Sequence, residues 1–461
     1  MGYINMKKFN KDKYLKKLRF KKYKRYLYIG IPCILVLLIG IYFAYSKFSV
    51  FKEEEVVRTT VGDFISGDAV IGAYIDGEYS NTIPGKNDGY VVKSVSCDNN
   101  ATGSWDNDAW GIVLTNMTKR TKCNVYFRKP ALTETITTAM SNNPSMFASD
   151  DADNNVRYIG ADPSNYVYFN CSDYNNPTAD TCEKWRIIGV FNNVTKSDGS
   201  KENLVKIIRA DSLGNYFWDY KKKGVGTSTD DYGSNDWTDS QLMMMLNPTI
   251  YLKSGYTNSN EVILDNNNYE IYSKMGSYYN GTKGCSPAAV ASGASFSCTE
   301  VDFTSTGLKN DTTRNAIEEV VWNLGRTNGS TASMSYMSER GTTVYEGHAI
   351  NWVGKIGLMY PSDYGYASSY VANGYGHCYD IEFRMWGSVY GTGCPPYDYL
   401  YNANTNQWTM SDSLSVLLNG QVDGAMLLNA FSVRPALFLK SNIQVDKGTG
   451  ESSNPYTLKI S

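Results

Sequence analysis

The sequence predicts an α+β ectodomain preceded by a small all-β module and one transmembrane helix. Three observations predict it: a basic head abutting an uncharged apolar stretch from Leu27 to Tyr45, many short β-branched or aromatic runs punctuated by Gly, Asn and Asp, and a few helical signatures set among them.

In residues 1–26 eleven Lys or Arg stand against one acid, Asp12. Positive charge beside a span stays on the cytoplasmic side, so everything after Tyr45 is expected outside the cell membrane. At 1.5 Å rise per residue, Leu27–Tyr45 reaches roughly 28 Å, enough for a hydrocarbon core of about 30 Å. A cleaved signal peptide is the competing reading, because Ala44-Tyr45-Ser46 offers small residues at cleavage spacing. The apolar run is longer than a signal core and sits behind a longer head, which favours a retained anchor. Cys33 lies inside the run and reads as a membrane-embedded thiol. Met6 stands where a myristoylation signal needs Ser or Thr. Since the whole chain is at net −2 despite its basic head, the ectodomain is acidic and nucleic acid is an unsuitable partner.

After a charged stalk at 46–58, residues 59–129 read as a β module with strands at Ala69–Ile75, Gly89–Ser96, Trp110–Thr115 and Cys123–Phe127. Residues 130–155 read as a linker with a helix at Leu132–Met140. From Val156 to Ser461 the chain is long enough to bury one large core. Its strand candidates are Tyr166–Asn170, Trp185–Phe191, Leu204–Arg209, Gly354–Met359 and Phe431–Leu439. Thr238-Asp239-Ser240-Gln241 has capping-box spacing before Leu242–Leu246, and Asn247-Pro248 ends that helix. A second helix is expected from near Asp311, with Ile317, Val320, Val321 and Leu324 on one face and Gly325 as its cap.

Eight cysteines lie beyond the apolar run and form four local couples: Cys97 and Cys123, Cys171 and Cys182, Cys285 and Cys298, Cys378 and Cys394. An even count outside a membrane favours disulfides, and sequential pairing is expected; no couple has zinc-site spacing. Each such bond contributes about 3 kcal/mol in the chain-entropy picture, bracing long polar loops.

No catalytic motif is readable. The two histidines, His348 and His377, sit in Gly-rich contexts, and there is no G-x-S-x-G elbow, P-loop or H-E-x-x-H. A Cys378 nucleophile beside His377 is disfavoured, because chain neighbours rarely face each other and a bonded sulfur is no nucleophile. Asp230-Asp231 and Asp265-Asn266-Asn267-Asn268 lack EF-hand spacing and read as solvated turns. No catalytic residue, metal ligand or cofactor is therefore assigned.

The stronger signal is aromatic. Ten tyrosines and Trp386 lie between Tyr360 and Tyr401, interleaved with Gly, Ser, Asn and Asp. Rigid amphipathic rings with small polar neighbours suit a recognition surface, and the candidate ligand contacts are Tyr364, Tyr366, Tyr375, Tyr379, Trp386 and Tyr390. The alternative is that the rings pack the loops together, since the chain has 37 tyrosines throughout.

Across residues 160–460 the order of segments is Trp185-Arg-Ile-Ile-Gly189, Leu204-Val-Lys-Ile-Ile-Arg209, Trp237 with Ser240, Leu242, Leu246 and Asn247, then Val353-Gly-Lys-Ile-Gly-Leu-Met-Tyr360 with Ser362-Asp363-Tyr364. Trp408-Thr-Met-Ser411, Ser432-Val-Arg-Pro-Ala-Leu437, Gly448-Thr449-Gly450 and Asn454-Pro455-Tyr456 follow. This series resembles bacterial surface domains of unknown function with a C-type-lectin-like fold, distantly similar to the formylglycine-generating, sulfatase-modifying group. The resemblance implies a small twisted sheet flanked by two helices, long disulfide-bearing loops and a buried Arg434. Joined to the basic head, the apolar run and the aromatic cluster, it leads to the expectation of a single-pass surface protein, its bacterial setting implied by the resemblance, that binds an extracellular glycan or protein through its Tyr-rich loops. Two alternatives stay open: a sulfatase-modifying-type enzyme, which would need two reduced cysteines in a pocket, and a structural envelope protein without a small ligand. Neither Cys378 nor Cys394 aligns with that group's copper-holding thiols, so its chemistry is not carried over.

Overall fold

The computed structural model describes Lys16 and residues 57–59, 69–219, 235–251, 276–287, 298–326, 330–387, 393–411, 414–427 and 429–460. The expected span at 27–45 with Cys33, most of the stalk, Tyr390, Asp230-Asp231 and Asp265–Asn268 lie outside the described residues. Among the described residues no helix is long and apolar enough to cross a membrane. The chain is mostly β: 35% strand against 18% helix, spread over several small sheets. That balance corrects the α+β expectation and the lectin-like plan of one small sheet flanked by two helices. The physical reason is visible in the helices themselves, which among the described residues are short, the longest running only over Leu132–Asn142.

The chain forms two compact units, residues 1–86 with 92–127 and residues 87–91 with 128–461. In the first, Glu78–Ser80, Ala69–Ile75, Thr121–Arg128 and Val91–Cys97 form a four-stranded sheet in that order; Val57–Thr59, Gly111–Thr115 and Thr102–Asp106 form a three-stranded one. Thr121–Arg128 shows why: Thr121, Cys123, Val125 and Phe127 alternate inward while Lys122, Asn124, Tyr126 and Arg128 do not, the period of a one-sided strand. Trp105 meets both Trp110 and Phe127 edge to face, at 5.3 and 5.2 Å. The Trp110 indole donates to the Pro84 carbonyl at 2.7 Å. Cys97 and Cys123 are bonded, fastening this small core.

The second unit is built on a seven-stranded sheet in which Ile356–Gly357, Ala436–Leu439, Lys201–Arg209, Glu183–Thr195, Val156–Tyr158 and Phe147–Ala148 lie side by side, and Tyr166–Phe169 also pairs with Glu183–Thr195. Lys201–Arg209 is buried from Leu204 onward and Glu183–Thr195 from Trp185 to Phe191, so both central strands read as continuous apolar runs. Gly189 is required where Glu183–Thr195 meets Val156–Tyr158: a Cβ there would lie 2.2 Å from the Val156 carbonyl oxygen. A five-stranded sheet orders Asn215–Tyr216, Phe431–Ser432, Gln407–Trp408, Leu414–Val416 and Val422–Gly424. Two-stranded ribbons complete the unit. Leu132 and Ile136, on the helix expected within the 130–155 linker, belong to this unit's core.

Two helix expectations change. The expected capping box does not form: Ser240, not Thr238, caps Gln241–Leu246 as a simple N-cap, accepting from the Met243 amide at 3.2 Å. The helix from Asp311 ends at Ala316, and Val320–Asn323 is a strand paired with Asn351–Gly354. Its helical spacing loses to strand pairing, with Val320 and Trp322 turned inward and Trp322 opposite Trp352. Arg434 is buried as expected. It donates to the Arg209 and Leu400 carbonyls at 2.9 and 3.2 Å, and burial pushes its guanidinium down to about 10.

Candidate functional site

The tyrosine-rich segment divides into a buried half and an exposed half. The buried half hangs from the helix Pro361–Ala367, entered by Pro361 at its first turn and held by Asp363, whose carboxylate accepts the Tyr360 amide at 2.9 Å. Tyr364 is 0% exposed; its hydroxyl donates to the Gly420 carbonyl at 2.9 Å and its ring packs 5.0 Å from Trp386. Trp386 is 1% exposed and its indole donates to the Ile381 carbonyl at 3.3 Å. Tyr366 is 4% exposed, lying 5.1 Å from the Arg157 guanidinium and stacked 5.2 Å from Tyr379. Tyr364, Tyr366 and Trp386 are thus corrected from ligand contacts to core: rings with no accessible face offer nothing to a partner, and burial holds the Tyr364 phenol neutral, well above its usual range.

The exposed half is a hairpin, Val371–Ala372 paired with Gly376–His377, closed over Asn373, Gly374 and Tyr375. Gly374 and Gly376 have φ of 82° and 88°, a conformation that costs glycine nothing and strains other residues. Tyr375 sits in this turn at 54% exposure. On either side are two ring pairs: Tyr370 on Tyr397 at 4.7 Å and 12°, and His377 on Tyr379 at 5.1 Å and 9°. Tyr397 is itself 45% exposed. Burial, then Asp150 and Asp380, push the Tyr379 phenol up to about 12, so this ring is uncharged at neutral pH. The Cys378–Cys394 disulfide lies directly behind the hairpin and ties it to the segment carrying Tyr397.

Of the six predicted contacts, the structure therefore exposes Tyr375 and half-buries Tyr379. Tyr370, His377 and Tyr397 join them and were missed. The local signal for them was turn chemistry: Asn373-Gly374-Tyr375-Gly376-His377 and Pro395-Pro396-Tyr397-Asp398 both place rings where the backbone must reverse at the surface. Cys171–Cys182 is also bonded, giving three sequential pairs among the described residues. For the remaining couple the backbone pairs Cys285 with Glu300 and Pro287 with Cys298, but its side chains lie outside the described ones.

Beneath the aromatic surface lies a charge cluster that sequence reasoning also missed. Asp363 bonds Lys206 at 2.5 Å and Arg157 at 3.0 Å, and Arg157 bonds Asp151 at 2.7 Å. All four side chains are buried. The Arg157 guanidinium is wedged between the rings of Phe191, Tyr336 and Tyr366. Burial works to raise the Asp363 carboxyl, but Lys206 and Arg157 outweigh it and hold it below the usual range. Burial also lowers the Lys206 ammonium despite its carboxylate partner. Next to them Glu339 accepts from the Ser362 amide and hydroxyl at 3.0 and 2.5 Å, and burial pushes its carboxyl up to about 7. This cluster pins the helix that carries the buried tyrosines to the central sheet, and so positions the hairpin next to it.

No family model matches the chain, and no curated protein or solved structure matches it either.

Proposed function

We propose that this chain is a membrane-anchored bacterial surface protein whose outward-facing second unit recognises a glycan through the aromatic hairpin around Tyr375. The basic head and apolar run at 27–45 would hold it at the membrane, with the chain beyond outside the cell. Three disulfides support an oxidising compartment for that part. The observation that carries the recognition reading is the disulfide-tied hairpin: Tyr375 and Tyr397 exposed, with two flat ring stacks beside them. Pre-stacked rings lose little freedom on binding, and their faces suit the flat faces of sugars. Five partly covered rings give less than the roughly 800 Å² per partner that a standard protein interface needs, which favours a short glycan over a folded protein.

The test is a glycan array probed with the full-length chain in detergent. Selective binding that disappears in the Tyr375→Ala/Tyr397→Ala double variant is expected. Absence of any selective binding by the wild-type chain would remove the proposal.

A further inference from the structure

A separate cavity of about 120 Å³ opens beside the charge cluster, within the second unit, independent of the aromatic hairpin. Its lining includes Lys206 and Arg340, the rings of Phe191, Tyr360 and Phe438, and one acid, Asp153. Lys206 is the unusual member: an inward-facing lysine in a continuous apolar strand, opposite Gly189 and Phe438 in register. An ammonium group has three donors. One goes to Asp363 at 2.5 Å; the other neighbours are ring faces, Tyr360 at 4.3 Å, Trp322 at 5.1 Å, Phe191 at 5.5 Å and Phe438 at 5.6 Å. A fully buried cation with no further oxygen partner among the described residues is costly, so the cavity beside it calls for an acceptor.

Arg340 occupies the mouth, its side chain 24% exposed, lying 3.4 Å over the Tyr336 ring. It donates to the Tyr336 carbonyl at 3.1 Å and to the Glu339 carboxylate at 3.4 Å, and reaches Asp153 only at 3.7 Å, so part of its five-donor fork stays uncommitted. Asp153 is already engaged, accepting from the Tyr336 hydroxyl at 2.6 Å. Within the lining Lys206 and Arg340 face one carboxylate, the occupied Asp153, while from outside the lining Asp363 holds one donor of Lys206 and Glu339 one of Arg340; the remaining donors are left for a ligand, with apolar rings between them. We infer that this cavity binds a small monocarboxylate, its oxygens between Lys206 and Arg340 and its apolar part against Phe191, Tyr360 and Phe438. An engineered apolar cavity of about 150 Å³ takes benzene, so about five or six non-hydrogen atoms fit here.

The test is calorimetric titration of the full-length protein with butyrate and with its neutral counterpart, butyramide. Butyrate is expected to bind with Kd of about 1 mM or tighter, and butyramide at least about tenfold more weakly, because only the anion meets both cations. Arg340→Gln, at the partly exposed mouth, is expected to weaken butyrate about tenfold while leaving butyramide unchanged. Lys206→Met is expected to abolish butyrate binding; since it strips Asp363 of a partner and can unfold the chain, Arg340→Gln carries the decision. Equal affinity for the two probes, no saturable butyrate binding, or an unchanged Arg340→Gln titration would each overturn the inference.

Discussion

Glu339 makes the stability of the second unit fall with rising pH, by an amount that can be worked out from its surroundings. Its carboxyl is 1% exposed, sits against Ser362, and is pushed by burial up to about 7, with Arg340 offsetting only part of that cost. In the unfolded chain the same group titrates near its ordinary value of about 4.3. A raised folded-state value means that the protonated form is favoured by folding. That contribution is fully present below the unfolded value and is lost as pH rises through about 7. At about 1.4 kcal/mol for each tenfold change in proton affinity, the loss amounts to roughly 4 kcal/mol. Asp151 and Asp363 do not confuse this window, because both are held below the usual carboxylate range and lose their stabilisation only in acid. Glu339→Gln keeps the shape, and its amide can still bond Ser362, whose hydroxyl both donates and accepts. Urea unfolding of wild type and Glu339→Gln at pH 5, 6, 7 and 8 measures the difference. Wild type should lose most of that roughly 4 kcal/mol across the series over and above the variant's own loss, since the buried Asp398, its carboxyl likewise raised by burial, contributes equally to both curves. Parallel curves for the two proteins would refute the reasoning.

Asp363→Asn leaves Lys206 and Arg157 buried without their shared carboxylate, and should cost about 3–5 kcal/mol in urea unfolding at pH 7. Trp386→Ala empties a fully buried site between Tyr364 and Phe383 and should cost about 3–5 kcal/mol in the same assay. Replacing Cys378 and Cys394 together by Ser opens a loop with a sequence separation of 16 and should lower stability by about 3 kcal/mol.

Strands with a clean period were legible in the sequence. Ala69–Ile75 and the core of Glu183–Thr195 fall where β-branched and aromatic runs meet turn residues, and the three observed disulfides join sequence neighbours. The stretch after Asp311 was misread because Ile317, Val320, Val321 and Leu324 satisfy a helical period, yet Trp322 can pair with Trp352 only in an extended chain. The division of the tyrosines was not legible at all. Tyr364 and Tyr375 share the same Gly- and Ser-rich surroundings in sequence, and only the helix that turns Tyr364 against Trp386 separates core from surface. Lys206 could have been noticed: a lysine inside Leu204–Ile208 breaks an apolar run and demands a buried partner. Which acid supplies it, Asp363, is set by a contact 157 residues away.

The most direct measurement is glycan affinity set beside folding for the full-length Tyr375→Ala/Tyr397→Ala variant. Removing two exposed rings should leave the urea midpoint within about 0.5 kcal/mol per substitution of wild type. Binding should weaken by about 2 kcal/mol or more, roughly thirtyfold in Kd. A variant that folds like wild type and still binds with wild-type affinity would contradict the account.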